Sequence, residues 1–105
     1  MKEFEPGKLY KFSEFYKKYL IDCHNESPTA LFFTRLNKNK NSGIGKTIFL
    51  PVDNTIFMFI SLEKKYSNAS LYQNQKYILK FLSGNKVVYR QSDNWGLANV
   101  WEEAL

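Results

Sequence analysis

Cysteine and histidine each occur once in these 105 residues. Cys23 alone builds no internal disulfide, whereas small secreted domains usually depend on several, so a reducing, cytoplasmic setting is expected. A zinc site needs three or four ligands at suitable spacing, and Cys23 with His24 supplies two. As chain neighbours they point apart on a strand and sit about 100° apart on a helix, so a thiolate–imidazolium pair is not expected either. A serine nucleophile would have to recruit His24 without the glycine-flanked elbow that exposes such a serine. The carboxylate pairs Glu3/Glu5 and Glu102/Glu103 lie in locally polar sequence near the ends and read as solvated charge, where acid–base work needs two carboxylates converging on one cleft. No enzyme activity, cofactor or metal is therefore expected. Long apolar runs are missing as well: Ile48–Val52 and Ile56–Ile60 are five residues each, against roughly 18 for a membrane span. Met1–Phe12 alternates charged and apolar residues, unlike the uninterrupted stretch of roughly 7 to 15 in a secretory signal. No membrane association is expected, and the Asn25-Glu26-Ser27 and Asn68-Ala69-Ser70 sequons are read as chance matches.

No fixed-period repeat, low-complexity block or proline-rich linker divides the chain, so residues 1–105 read as a single domain. What is present is periodicity. Lys8–Phe12 follows the Pro6-Gly7 turn signal and reads as a first strand. Phe12, Phe15, Tyr16, Tyr19 and Leu20 then fall at i, i+3, i+4, i+7 and i+8, one face of a helix with Ser13 as N-cap. The helix is expected to end near Asn25, because Pro28 biases the residue before it away from helical angles. Thr29–Leu36, Lys46–Val52, Thr55–Leu62, Lys76–Leu82 and Lys86–Gln91 are short runs rich in β-branched and aromatic residues. Pro51-Val52-Asp53-Asn54 and Ser83-Gly84-Asn85-Lys86 supply reversals, the second with Gly84-Asn85 able to take positive φ, so neighbouring strands are expected antiparallel. In Thr55–Leu62, Ile56, Met58, Ile60 and Leu62 alternate with Phe57 and Phe59, which marks a central strand covered on both faces. Leu97, Val100, Trp101, Ala104 and Leu105 have helical spacing, with an edge strand as the alternative.

These elements predict a mainly β fold, with an α+β arrangement as the alternative. Curling removes exposed edges, so the expectation is a small antiparallel five- to six-stranded SH3-like barrel with one N-terminal helix around Glu14–Asp22 and a short C-terminal helix. Gly96-Leu97-Ala98-Asn99-Val100-Trp101 is similar to the last strand region of SH3 domains. The acidic loop, paired tryptophans and proline of a peptide-binding member are absent, and the chain is not assigned to that family.

Gly45-Lys46-Thr47 resembles the end of a phosphate-binding loop, but Lys40 stands where the leading glycine belongs, and a strand follows where a helix should. A hairpin loop is the better reading. The net charge is +5. Arg35, Lys38, Lys40 and Lys46 lie in one stretch with no acid, interleaved with asparagines, while residues 1–34 balance five cations against five acids. Four phosphate contacts from this stretch correspond to a log–log salt slope of roughly −3 to −4, weak non-specific nucleic-acid binding. Nine Phe, seven Tyr and two Trp exceed what filling one small core requires. Tyr66, Tyr72, Tyr77, Tyr89 and Trp95, in or beside turns or next to polar residues, are candidate contact residues, with edge-capping of the barrel as the alternative for each. Lysine outnumbers arginine 13 to 2 and asparagine occurs ten times, a bias typical of AT-rich genomes such as those of low-GC bacteria and their phages. The expected function is a small intracellular protein-binding module or inhibitor, phage-encoded and directed at an acidic host protein. The alternative is nucleic-acid binding through the basic 35–46 loop.

Overall fold

Alternation along the aromatic-rich runs divides each strand into an inward and an outward face. The computed structural model of the chain describes residues 4–24, 29–34, 46–64 and 77–104. In chain order the elements are β1 (Leu9–Phe12), α1 (Glu14–His24), β2 (Thr29–Phe33), β3 (Thr47–Pro51), β4 (Phe57–Lys64), β5 (Tyr77–Ser83), β6 (Lys86–Ser92), α2 (Asn94–Asn99) and β7 (Trp101–Glu103). The strands form one antiparallel sheet in the order β3-β2-β6-β5-β4-β1-β7, curled into a half-barrel. The fold is mainly β, as the residue pattern implies. Among the described residues the strands number seven rather than five or six, and the sheet does not close on itself: β3 and β7 remain as edges.

The inward residues Tyr10, Phe12, Ala30, Phe32, Phe57, Phe59, Leu79, Phe81, Val88 and Trp101 share one buried cluster with Val52, Leu97 and Val100. Its centre is aromatic. Trp101 stands 4.5 Å from Phe12, 4.7 Å from Phe81 and 5.4 Å from Phe57, measured between ring centroids. Such stacked, tilted and edge-on pairs each add about 0.5–1.5 kcal/mol beyond the area they bury.

Local signals were legible where they were strong. Ser13 caps α1, its Oγ accepting from the Tyr16 N–H at 3.1 Å, and the helix ends at His24, before Pro28. Gly84 has φ of 60° while Asn85 stays out of the positive region. This is the II′ pattern, with glycine in the first of two central positions between Ser83 and Lys86. The tail is helix and strand in succession. Asp93 accepts from the Gly96 N–H at 2.7 Å to cap α2, and β7 then pairs with β1 through Phe12 opposite Trp101.

Four further expectations are corrected. The turn after β3 does not join neighbours: β4 lies four strands away, so the Pro51–Asn54 reversal sends the chain across the sheet, with Val52 buried on the way. β2 ends at Phe33, with Thr34 already in a bend, and Leu36 lies outside the described residues. A bulge in β4 between Phe59 and Ser61 breaks the alternation, so Leu62 falls opposite the buried Leu79 and leaves the outward set of Ile56, Met58 and Ile60. The outward face is also incompletely covered, with Ile56 half exposed. Among the described residues no helix is long and apolar enough to cross a membrane.

Candidate functional site

The apolar stripe of α1 is wider than the sheet can cover. Tyr16 and Leu20 pack against the core beneath the helix. Phe15 and Tyr19, one position earlier in each turn, are left 58% and 51% exposed. Trp95, in the first turn of α2, is 48% exposed. Its ring centroid lies 6.2 Å from that of Phe15 and 6.2 Å from that of Tyr19. Two helices distant in sequence thus place three half-exposed rings in one patch.

The patch is held from behind. Phe12 in the core stacks on Tyr16 at 5.6 Å, and Tyr16 on Tyr19 at 6.4 Å, so a ladder of rings runs from the interior to Trp95. The Arg90 guanidinium sits 5.5–5.8 Å from the rings of Phe32, Phe12 and Tyr16, donates to the Tyr16 hydroxyl at 3.0 Å and donates to the Leu31 carbonyl at 3.2 Å. That carbonyl faces β6 where, among the described residues, the β2–β6 ladder is a single bridge, Phe33 opposite Tyr89, so Arg90 satisfies a backbone group the short ladder leaves open. Ser13 joins the two helices of the patch. Its Oγ donates to the Asn99 carbonyl at the end of α2, and its N–H donates to the Val100 carbonyl at 2.7 Å. The sequence matches no family model and no curated protein, and the fold matches no solved structure.

Of the residues singled out in the sequence, Trp95 lies in the patch, and Tyr89, Tyr77 and Lys46 lie elsewhere. Tyr89 is half-buried on the outward face, opposite Phe33 and Lys80, with the Lys80 ammonium 5.8 Å from its ring centroid. Tyr77 is packed against the core cluster and caps it, the alternative weighed for the tyrosines. Lys46 is exposed and lines an open groove of about 490 Å³ with Thr34, Thr47, Ile48, Lys86 and Val87. Arg35, Lys38, Lys40, Tyr66 and Tyr72 lie outside the described residues. Asp93 caps α2, and the Trp95 beside it is a surface ring. Cys23 is exposed on α1.

Phe15 and Tyr19 were missed because they share helical spacing with true core residues. The available signal was the width of the stripe: five large apolar residues within nine positions exceed what one turn-by-turn contact with a sheet can bury. Electrostatics around the patch are mild. Lys17 lies on the same helix, with Nζ 3.2 Å from Glu14 and 3.6 Å from Asp53. Burial lowers its pKa, but the hydrogen bond Lys17 donates to Glu14 and the charges of Glu14 and Asp53 outweigh this and hold it above 10.5.

Proposed function

We propose that this chain is a non-covalent protein-binding module whose contact surface is the Phe15–Tyr19–Trp95 patch and whose partner is an acidic protein. The observation that carries the reading is the meeting of three half-exposed rings from two helices, backed by a ring ladder and Arg90. Tyr and Trp provide large contact areas at small conformational cost and dominate interface hot spots. Rings already held in place lose little further freedom on binding. The charge of +5 favours an acidic partner through faster encounter. As an inhibitor of a host protein, encoded by a phage and acting in the host cytoplasm, the module would work by occupying its partner's surface. The open sheet serves this role without the closed SH3-like barrel.

A second reading, nucleic-acid binding, draws on the groove. Lys46 and Lys86 line it together with two threonine hydroxyls, no carboxylate is among its described lining residues, and the sequence between Thr34 and Lys46 adds Arg35, Lys38 and Lys40. Affinity capture from lysate of the cells in which the protein acts, with and without nuclease, separates the two. A stoichiometric protein that survives nuclease and is lost with Trp95→Ala or Tyr19→Ala supports the first reading. Retention that disappears with nuclease, falls steeply with salt and ignores Trp95→Ala supports the second and overturns the first.

A further inference from the structure

The two edges of the sheet are protected unequally. β7 is three residues long and carries Glu102 and Glu103, which pair with Lys11 at 3.6 Å and Lys8 at 3.2 Å across the surface. Short, charged edges of this kind resist pairing with another chain. β3 has five residues with no charge from Thr47 to Pro51, and Phe49 on it is 65% exposed, the most exposed large apolar side chain among the described residues. Among those residues no strand pairs with its outer side.

Which backbone groups are open follows from the register. The Thr34 N–H donates to the Lys46 carbonyl at 2.7 Å, and Phe33 lies opposite Thr47. By the alternation of an antiparallel ladder, Lys46, Ile48 and Leu50 turn their N–H and C=O groups toward β2. The Leu31 carbonyl, bound by Arg90 on the β6 side, fits the same alternation. Thr47 and Phe49 therefore turn their peptide groups away from the sheet. Pro51 has no N–H, and its carbonyl accepts from Thr55 Oγ1 at 2.7 Å, which ends the open run.

We propose that β3 pairs antiparallel with β3 of a second copy of this chain, across a two-fold axis at Ile48, to form one continuous sheet. In that register Thr47 lies opposite Phe49 of the other copy. The four open groups of each strand then make four reciprocal hydrogen bonds with none left over, the self-complementarity a two-fold interface requires. Phe49 gains a neighbouring strand beside Leu31, its opposite number on β2, and the two Ile48 side chains meet on the inner face. The net charge of +5 opposes a second copy only weakly at this edge, because β3 itself carries no charge. Lys46 falls opposite Leu50 of the other copy, and the two Lys46 positions lie four residues apart along the pair, about 13 Å at strand rise, beyond the screening length of about 8 Å at physiological salt. The residual repulsion is diffuse, so the dimer strengthens as salt is raised, the opposite of what an acidic partner or nucleic acid shows. This pairing is independent of the Phe15–Tyr19–Trp95 reading and stands or falls separately.

Sedimentation velocity of the full chain from micromolar to millimolar concentration, at low and high salt, is the test, read together with amide hydrogen exchange at Thr47 and Phe49. The expected result is a monomer–dimer equilibrium, tighter at high salt, with both amides slowing as concentration rises. Phe49→Pro removes only an outward N–H, a change edge strands accept, and Phe49→Lys places like charges at the junction. Each should weaken association tenfold or more while circular dichroism shows the native fold, and Leu9→Lys, far along the sheet, should leave it unchanged. A monomer at millimolar concentration overturns the proposal. So does a dimer that both Phe49 variants retain, or protection of the two amides that does not depend on concentration.

Discussion

Replacing Ser13 with alanine removes two hydrogen bonds from one oxygen: the cap on the Tyr16 N–H and the tie to the Asn99 carbonyl. The residue is 8% exposed, so water replaces neither bond freely. Loss of a serine N-cap costs about 1 kcal/mol. Loss of a further hydrogen bond to a half-buried carbonyl adds about 1 kcal/mol. The sum, about 2 kcal/mol, corresponds to a fall in melting temperature of roughly 8–16 °C for a domain of about this size. Urea unfolding followed by far-UV circular dichroism measures it as a lower midpoint at unchanged slope. Ser13→Asp separates the parts, since a carboxylate accepts from Tyr16 but has no proton for Asn99, so it should recover about half the loss. A loss below about 0.5 kcal/mol for Ser13→Ala, or full recovery by Ser13→Asp, refutes the view that this hydroxyl couples α1 to α2.

Further consequences follow from other contacts. A Cβ at Gly96 would run into Ser92 Oγ while meeting Ser92 Cβ at an ordinary 3.6 Å. Gly96→Ala should therefore lower the unfolding midpoint, and Ser92→Ala should restore much of it in the double variant, a non-additivity that a double-mutant cycle measures. Trp101→Ala should cost about 3–5 kcal/mol, as for other buried large aromatic residues, whereas Trp95→Ala should cost about 1 kcal/mol or less from its tilted ring pairs; calorimetry of the two variants compares them. Lys17 has a folded pKa above 10.5, so its stabilisation is fully present below pH 10.5 and is lost as pH rises through the folded value. Lys8 is raised too, by the hydrogen bonds it donates to Glu5 and Glu103. Stability against pH should decline on the alkaline side, less steeply in Lys17→Met, and an equally steep decline in that variant would contradict the assignment.

The residues that revealed the fold are those whose structure is decided by near neighbours. Ser13 as a cap, Gly84 in a two-residue hairpin and the alternation of Phe57 with Met58 depend on a few adjacent positions, and all are found as read. The strand order was not legible, because pairing β2 with β6 and β1 with β4 joins segments far apart in the chain. The bulge after Phe59 has no local signal, yet it moves Leu62 to the other face. At the site, Trp95 was found from its polar neighbours. Phe15 and Tyr19 were not, because helical spacing states which residues share a face but not how much of that face a sheet will cover. Tyr77 and Tyr89 show the converse, with turn-adjacent tyrosines spent on capping the core and on packing the outward face.

Surface plasmon resonance of the purified protein partner against the wild-type chain and Trp95→Ala is the most direct trial of the binding surface. Aromatic anchors govern how long a complex lasts, while charges govern how fast it forms. The account predicts that Trp95→Ala dissociates tenfold faster or more at a nearly unchanged association rate. An unaltered dissociation rate in this folded variant would place the contact elsewhere on the molecule.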